Sequence, residues 1–200
     1  AIDAALWGER DDSCIAWFVQ HLRRDRSPRR WSTEGRGDVP LSSSGEERSA
    51  AGLRALYQSV ILEHNRAPRN RGRVENETGR ARGFNPLCGD DITVALSVAE
   101  GRVIAAGFEG KGCAICTAAA SCMTEVVCGE PVASIAALGE RFEAVIGGTL
   151  PLSEFTGPEL LEAFAPVSGF PSRIKCAILP WRALSQALAG SQDVVTTEGL

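Results

Sequence analysis

Hydrophobic and polar positions follow two different periods along the chain, and each period predicts a different element. From Leu53 to His64, apolar side chains recur every three or four residues, which predicts an amphipathic helix that ends before Pro68. Between residues 92 and 98, apolar residues alternate with small or polar ones, which predicts a half-buried strand. The chain therefore combines helical and extended segments.

A turn at Glu100-Gly101 joins this strand to an apolar return strand at residues 103–108, so the two strands are predicted to form a hairpin. Cys88 precedes the first strand, and Cys113 follows the second. Because antiparallel strands joined by a tight turn bring their outer ends together, these two cysteines are predicted to be neighbours.

Helical patterns dominate the rest of the chain. The periodicity predicts helices at residues 114–128, 132–146, 158–164 and 176–188. Gly129 and Pro131 are stop signals for the first of them. Pro180 is compatible with the last one only if it falls in the first turn, because proline lacks a backbone N–H. The polar residues after Gly190 predict a frayed end.

Composition divides the chain into three regions. The 200 residues, of which 44% are hydrophobic, are enough for one domain with a sizeable core. Residues 1–48 are interpreted as an irregular N-terminal extension, because arginine, serine, proline and glycine without periodicity fill much of its second half. Residues 49–190 are the predicted domain, and residues 191–200 are predicted to be a flexible tail.

Charge, hydropathy and cysteine content restrict the function classes. The net charge of -4 is spread out and no basic face alternates with aromatic residues, so we expect no nucleic-acid partner. No apolar run approaches the roughly 20 residues that span a bilayer, and the sequence shows no signal-type apolar core. We therefore expect a cytoplasmic protein without a membrane partner. Seven cysteines in a reducing compartment favour metal or sulfur chemistry over a disulfide framework.

Three cysteines and one aspartate lie in turn-flanked positions that are unusual for a buried structural cysteine. They are Cys88, Asp90, Cys113 and Cys176, in the segments Asn85-Pro86-Leu87-Cys88-Gly89-Asp90, Gly110-Lys111-Gly112-Cys113 and Arg173-Ile174-Lys175-Cys176. Because glycine, proline or lysine lies near each cysteine, the backbone can turn there and the thiolate can face outward. Cys113 also lies at a predicted helix start, where the helix dipole favours a thiolate. Together these residues predict one metal or sulfur site.

The other cysteines are weaker candidates for metal binding or sulfur chemistry. Cys14 lies in the irregular extension and is predicted to be inert. Cys116, Cys122 and Cys128 lie in or at the end of an alanine-rich helix, where we expect them to pack as small apolar groups. Cys113 and Cys116 also form a Cys-x-x-Cys pair at a helix start, which by itself is typical of a thiol-disulfide oxidoreductase. A role for Cys116 as a secondary sulfur carrier also stays open.

Three sequence motifs surround the candidate residues. They are Asn-Pro-x-Cys-Gly-Asp at residues 85–90, Gly-x-Gly-Cys-x-Ile followed by Ser-x-Met-Thr within residues 110–124, and Arg-Ile-Lys-Cys-Ala-x-Leu-x-Trp at residues 173–181. These motifs resemble the SufU branch of the IscU/NifU-N family, over roughly residues 53–189. Lys175 stands where IscU proteins carry a histidine, and the interval from Cys113 to Cys176 is longer, with an insertion near residues 147–158. Both features favour SufU over IscU.

The resemblance implies an α+β fold in which a small antiparallel sheet packs against helices, with the metal site at one end. It also implies zinc as the bound ion, with the ligands Cys88, Asp90, Cys113 and Cys176. The implied process is iron-sulfur cluster assembly. In it, a SufS-type cysteine desulfurase is the partner that the chain activates, Cys88 accepts the persulfide sulfur, and a downstream iron-sulfur scaffold or apo-protein receives it.

Ligand chemistry agrees with a zinc site that can open. Three thiolates suit zinc, whereas a carboxylate is a harder and more weakly held fourth ligand. Asp90 therefore favours an exchangeable site over a merely structural zinc module. The same ligands could hold iron in a transient [2Fe-2S] cluster, so a cluster scaffold is the alternative function.

Two basic residues complete the candidate site. Three thiolates and a carboxylate around a divalent cation leave a net charge of about -2, which Arg173 and Lys175 can offset. Both are candidate catalytic residues beside Cys88. We expect Lys175 to stabilise the thiolate of Cys176 or to meet an acidic partner surface; the alternative is a solvated lysine without a special role. Arg173 is expected to be structural or partner-facing.

Overall fold

A four-stranded sheet forms one layer of the computed structural model, which describes residues 50–191 and 193–198. The strands are β1 (Gly79–Asn85), β2 (Asp90–Ala99), β3 (Arg102–Lys111) and β4 (Val195–Thr196). Their spatial order is β3-β2-β1-β4, and β4 alone runs parallel to its neighbour, so the described sheet is mixed. The extension at residues 1–48, with Cys14, lies outside the described residues.

Helices form the second layer. They are α1 (Ala50–Arg66), α2 (Ala114–Val127), α3 (Val132–Ile146), α4 (Glu159–Glu162) and α5 (Pro171–Leu188), with 3-10 turns at Leu152–Glu154 and Ala165–Gly169. α5 packs against β1 and β2, and α2 packs against β3, α1 and α5. The predicted α+β class is confirmed. None of the described helices is long and apolar enough to cross a membrane.

The predicted hairpin is present as β2 and β3. Ala99 pairs with Arg102, which leaves Glu100 and Gly101 as a two-residue turn. Both turn residues have positive φ values, 52° and 72°, as the twist of a tight hairpin requires. Ile92, Val94 and Leu96 of β2 are each at most 1% exposed, so the alternation seen in the sequence marks the face that joins the core.

The start of the last helix differs from the prediction. α5 begins at Pro171 and not at Cys176, so Pro180 lies in the helix interior and not in its first turn. Proline suits a first helical position, because its φ is already helical and its missing N–H has no intrahelical partner there. At Pro180, the missing N–H leaves the carbonyl of Cys176 without its helical donor. Because the helix is buried at this point, tertiary packing outweighs that loss.

β1 and β4 lie in segments without a strand signal in the sequence. β1 carries glycines because α5 lies very close: a Cβ atom at Gly79 would collide with the carbonyl oxygen of Ala187, and one at Gly83 would lie 2.9 Å from Cδ1 of Leu179. The small residues that allow this packing also remove the apolar alternation by which a strand is recognised.

Residues 193–198 include a short strand, in a segment where the sequence predicts a frayed end. Val195 and Thr196 pair with Gly83 and Phe84 of β1. Thr197, which follows them, is 1% exposed. Part of the predicted tail is therefore paired with the sheet. The segment is polar, yet its backbone groups find partners along the edge of β1.

Candidate metal centre

One end of the sheet carries the candidate residues. Cys88 lies in the loop between β1 and β2, and Asp90 is the first residue of β2. Cys113 is the N-cap of α2, and Cys176 lies in the second turn of α5. Gly89 has a φ of 66°, a conformation that favours glycine, so the loop can turn back between Cys88 and Asp90. Each ligand candidate therefore lies within the first two turns of a helix, at the start of a strand or in the loop between two strands.

Three of the four predicted ligands form a compact group. The sulfur atoms of Cys88 and Cys176 and a carboxylate oxygen of Asp90 all lie within 4.8 Å of one another. Asp90 and Cys176 are each 0% exposed, whereas Cys88 is partly exposed. Two sulfur donors and one carboxylate at this spacing can hold a metal ion such as zinc.

Cys113 borders this group without belonging to it. Its backbone N–H donates to Oδ1 of Asp90 at 2.7 Å, which confirms the prediction that the outer ends of the hairpin meet. A hydrogen bond from the Cys176 thiol lowers the pKa of Cys113 to about 7, and backbone N–H groups at the start of α2 act in the same direction. The same hydrogen bond, together with burial, raises the pKa of Cys176. The two pKa shifts therefore favour the thiolate form at Cys113 over the thiolate form at Cys176.

The carboxylate of Asp90 is buried, and N–H donors compensate its charge. Nδ2 of Asn85 donates to Oδ2 at 3.0 Å, and the N–H of Cys113 donates to Oδ1. Burial of a charged carboxylate without such donors would be strongly unfavourable, because a charge loses more hydration than a neutral polar group does. Each carboxylate oxygen has two lone pairs, so each still has one available for a metal ion.

The two basic residues face different parts of the molecule. Nη1 of Arg173 donates to Sγ of Cys88 at 3.4 Å, and the arginine is exposed. Nζ of Lys175 donates to the carbonyl oxygen of Thr197 at 3.1 Å. Arg173 therefore supplies the cationic contact to a candidate ligand, and the amine of Lys175 is directed to the end of β4.

Known proteins share both the sequence and the fold of this region. Residues 56–153 match the family model of the NifU-like N terminal domain. The chain is 36% identical over 144 residues to the zinc-dependent sulfurtransferase SufU of Bacillus subtilis (strain 168), which covers 70% of this chain and 93% of that protein. The chain belongs to the SufU/IscU family. The resemblance seen in its motifs is thereby confirmed.

Other members of the SufU/IscU family agree with this assignment. The iron-sulfur cluster assembly scaffold protein IscU of Thermotoga maritima is 36% identical over 138 residues, which are 68% of this chain and 94% of that protein. A candidate iron-sulfur cluster assembly scaffold protein for the SUF system from Fervidobacterium islandicum AW-1 has a similar crystal structure, with a TM-score of 0.59 and 26% identity. The match covers 67% of this chain and 97% of that one.

The remaining described cysteines belong to the core of the SufU/IscU domain. Cys116 and Cys122 are each 0% exposed, and Cys128 is 7% exposed. Burial raises the pKa of the Cys116 and Cys122 thiols. Cys116 and Cys122 pack as small apolar groups, as the sequence predicts. Cys128 is disulfide-bonded, so for this residue the expectation of a small apolar group is wrong.

Two residues at the centre were not singled out from the sequence. Asn85 is 0% exposed and its amide contacts both Asp90 and Cys176. The available signal was its position, since Asn85 is the first residue of the Asn-Pro-x-Cys-Gly-Asp motif that contains two candidate ligands. Thr197 donates to Asn85, but it lies 112 residues away in a short polar segment. No local pattern could indicate that contact.

Proposed function

We propose that this chain is a zinc-containing sulfur acceptor of iron-sulfur cluster assembly, which activates a SufS-type cysteine desulfurase and takes persulfide sulfur on Cys88. One observation carries the proposal: Cys88 is partly exposed, whereas the other two members of its group, Asp90 and Cys176, are buried. Its neighbour Leu87 is 68% exposed, so a partner can reach the tip of this loop. The name of the Bacillus relative, a zinc-dependent sulfurtransferase, supports the same function.

The donor set fits zinc. Cys88, Asp90 and Cys176 would hold the ion, with the bordering Cys113 as the fourth ligand, and zinc when bound keeps sulfur ligands deprotonated. Asn85 orients Asp90 by its hydrogen bond, as residues behind metal ligands commonly do. Arg173 donates to the sulfur of Cys88, which places a positive charge beside this candidate ligand.

Sulfur transfer to Cys88 follows the chemistry of thiol-disulfide exchange. The Cys88 thiolate attacks the terminal sulfur of the persulfide on the desulfurase cysteine. A sulfur-sulfur bond forms at Cys88, the persulfide bond breaks, and the desulfurase cysteine leaves as a thiolate. No electrons are gained or lost overall. The persulfide on Cys88 can then pass its outer sulfur to a downstream scaffold or apo-protein in the same way.

A cluster scaffold is the second candidate function. The IscU relative from Thermotoga maritima is as similar as the SufU relative, at 36% identity, and its name describes a scaffold protein. In that case a [2Fe-2S] cluster would be cargo on the same residues. A thiol-disulfide oxidoreductase is less well supported, because the two relatives are named as a sulfurtransferase and a cluster scaffold.

Metal-resolved mass spectrometry of the intact protein separates these functions. Protein purified without oxygen is expected to carry one zinc ion and no visible colour, and to gain one sulfur atom when the desulfurase and cysteine are added. Bound iron with charge-transfer absorption would support the scaffold instead. Protein that binds neither metal and gains no sulfur would contradict both proposals.

Removal of the Asp90 carboxylate is expected to loosen the metal. Asp90→Ala should release zinc to a chelator at least about 10-fold faster, since even residues behind the ligands change metal affinity by that much. The rate is measured with a coloured zinc chelator. Asp91→Ala is the matched control, because Asp91 is the next residue but pairs with Arg82 at 2.8 Å. Equal release rates for Asp90→Ala and wild type would show that Asp90 is not a ligand.

A further inference from the structure

A chain of buried hydrogen bonds runs from the candidate ligands to the C-terminal end of the described chain. Nδ2 of Asn85 donates to Oδ2 of Asp90 at 3.0 Å and to Sγ of Cys176 at 3.4 Å. Oδ1 of Asn85 accepts a hydrogen bond from Oγ1 of Thr197 at 3.0 Å. Asn85 and Asp90 are each 0% exposed and Thr197 is 1% exposed, so water does not compete for these contacts.

Thr197 is held in place by β4 and by α5. We call residues 195–197 the C-terminal strap. Its first two residues pair with β1, and the N–H of Thr197 donates to the carbonyl oxygen of Phe84 at 3.3 Å. Nζ of Lys175 donates to the carbonyl oxygen of Thr197 at 3.1 Å. Because Lys175 directly precedes Cys176, the strap is fastened both to the strand that ends at Asn85 and to the helix that carries a candidate ligand.

The hydroxyl of Thr197 fixes which way the amide of Asn85 points. Only the NH₂ group of an asparagine side chain can donate a hydrogen bond. Here it faces the carboxylate of Asp90 and the sulfur of Cys176, which both act as acceptors. A flipped amide would place its carbonyl oxygen against those groups. The hydroxyl of Thr197 donates its hydrogen to the amide oxygen of Asn85. This hydrogen bond stabilises the observed orientation of the amide and would be lost in the flipped one.

We propose that the C-terminal strap and Asn85 act together as positioning residues, which hold Asp90 and Cys176 in the arrangement that retains the metal. This inference rests on one part of the proposed function, namely that the site binds a metal ion. Loosening the strap would free the amide of Asn85, and the two buried ligands would then lose a shared donor. The C-terminal strap would thereby set the rate at which the metal centre releases its ion.

Cobalt substitution tests this role directly. With Co²⁺ as the probe, Thr197→Val is expected to raise the rate of metal loss to a chelator by about 10-fold, the lower end of the range for residues behind metal ligands. It should also shift the thiolate-to-cobalt absorption band, because the position of Cys176 changes. Thr197→Ser keeps the hydroxyl and should restore both properties. Thr196→Val is the matched control, since Thr196 is the exposed neighbour of Thr197 in the C-terminal strap.

The outcomes separate this inference from the proposed function. A wild-type protein that binds no zinc or cobalt would contradict the proposed function itself. Wild-type binding together with an unchanged release rate and spectrum in Thr197→Val would overturn only the positioning role. If Thr197→Val does not fold, Lys175→Met tests the same strap from the helix side, and we expect about 2- to 10-fold faster release, the worth of one hydrogen bond. Release at the wild-type rate from Lys175→Met would then count against the inference.

Discussion

Replacing Cys88 with alanine is expected to lower the rate of sulfur uptake from a desulfurase persulfide by at least about 1,000-fold, as the loss of an attacking nucleophile typically does. Cys88 combines a partly exposed position with a cationic contact from Arg173. The thiols of Cys116 and Cys122 cannot replace it, because they are buried and their pKa values are raised. Sulfur uptake is measured by intact mass spectrometry after a single turnover with the desulfurase and cysteine.

A second cysteine variant provides the control for that experiment. Cys122→Ala removes a thiol of similar size from the interior of α2 and should accept sulfur at the wild-type rate. Uptake that persists in Cys88→Ala would place the acceptor elsewhere. If Cys116→Ser then abolished the activity, the Cys-x-x-Cys pair of Cys113 and Cys116 would be the working site, and the oxidoreductase hypothesis would replace the sulfur acceptor.

The largest effect on stability is expected from Phe142→Ala. Phe142 is 1% exposed and lies between two other rings: its centroid is 5.8 Å from that of Phe164 and 5.2 Å from that of Trp181. The truncation removes both ring contacts and leaves a cavity, so we expect the free energy of unfolding to fall by about 3–5 kcal/mol. Urea unfolding followed by circular dichroism measures this difference.

Leu62→Ala is the matched control for the aromatic cluster. Leu62 is 50% exposed, and its truncation should change the free energy of unfolding by no more than about 0.5 kcal/mol. Trp181 belongs to α5, the helix that carries Cys176, so the loss of Phe142 also removes support behind one candidate ligand. A Phe142→Ala protein as stable as wild type would show that α3 contributes little to holding α5.

Elements with a clear local signal could be predicted from the sequence. The periodicity of α1 and α3 and the turn between β2 and β3 each follow from residues close together in the chain. β1 could not be predicted, because its glycines are explained only by the approach of α5. The start of α5 was placed too late for the same reason, since burial around Pro180 outweighs the local cost of a proline.

In the candidate site, too, some residues could be predicted from the sequence and others could not. Cys88, Asp90 and Cys176 lie in recognisable turn-flanked motifs, and the structure brings them together. The residues behind them depend on contacts between distant parts of the chain. Asn85 needs both α5 and β4 to satisfy its amide, and Thr197 acquires its role only when β4 joins the sheet. Short-range patterns contain no information about such contacts.

The short parallel strand β4 also has a consequence for self-association. An uncovered edge strand offers unpaired backbone groups to a second molecule and is a common starting point for aggregation. β4 covers the edge of β1 at Gly83 and Phe84. Farther along the same strand, Arg80 and Arg82 are exposed and form ion pairs with Glu77, Glu109 and Asp91. The edge of β1 is therefore covered by backbone pairing at one end, and charged side chains, which disfavour edge-to-edge association, lie beside it at the other.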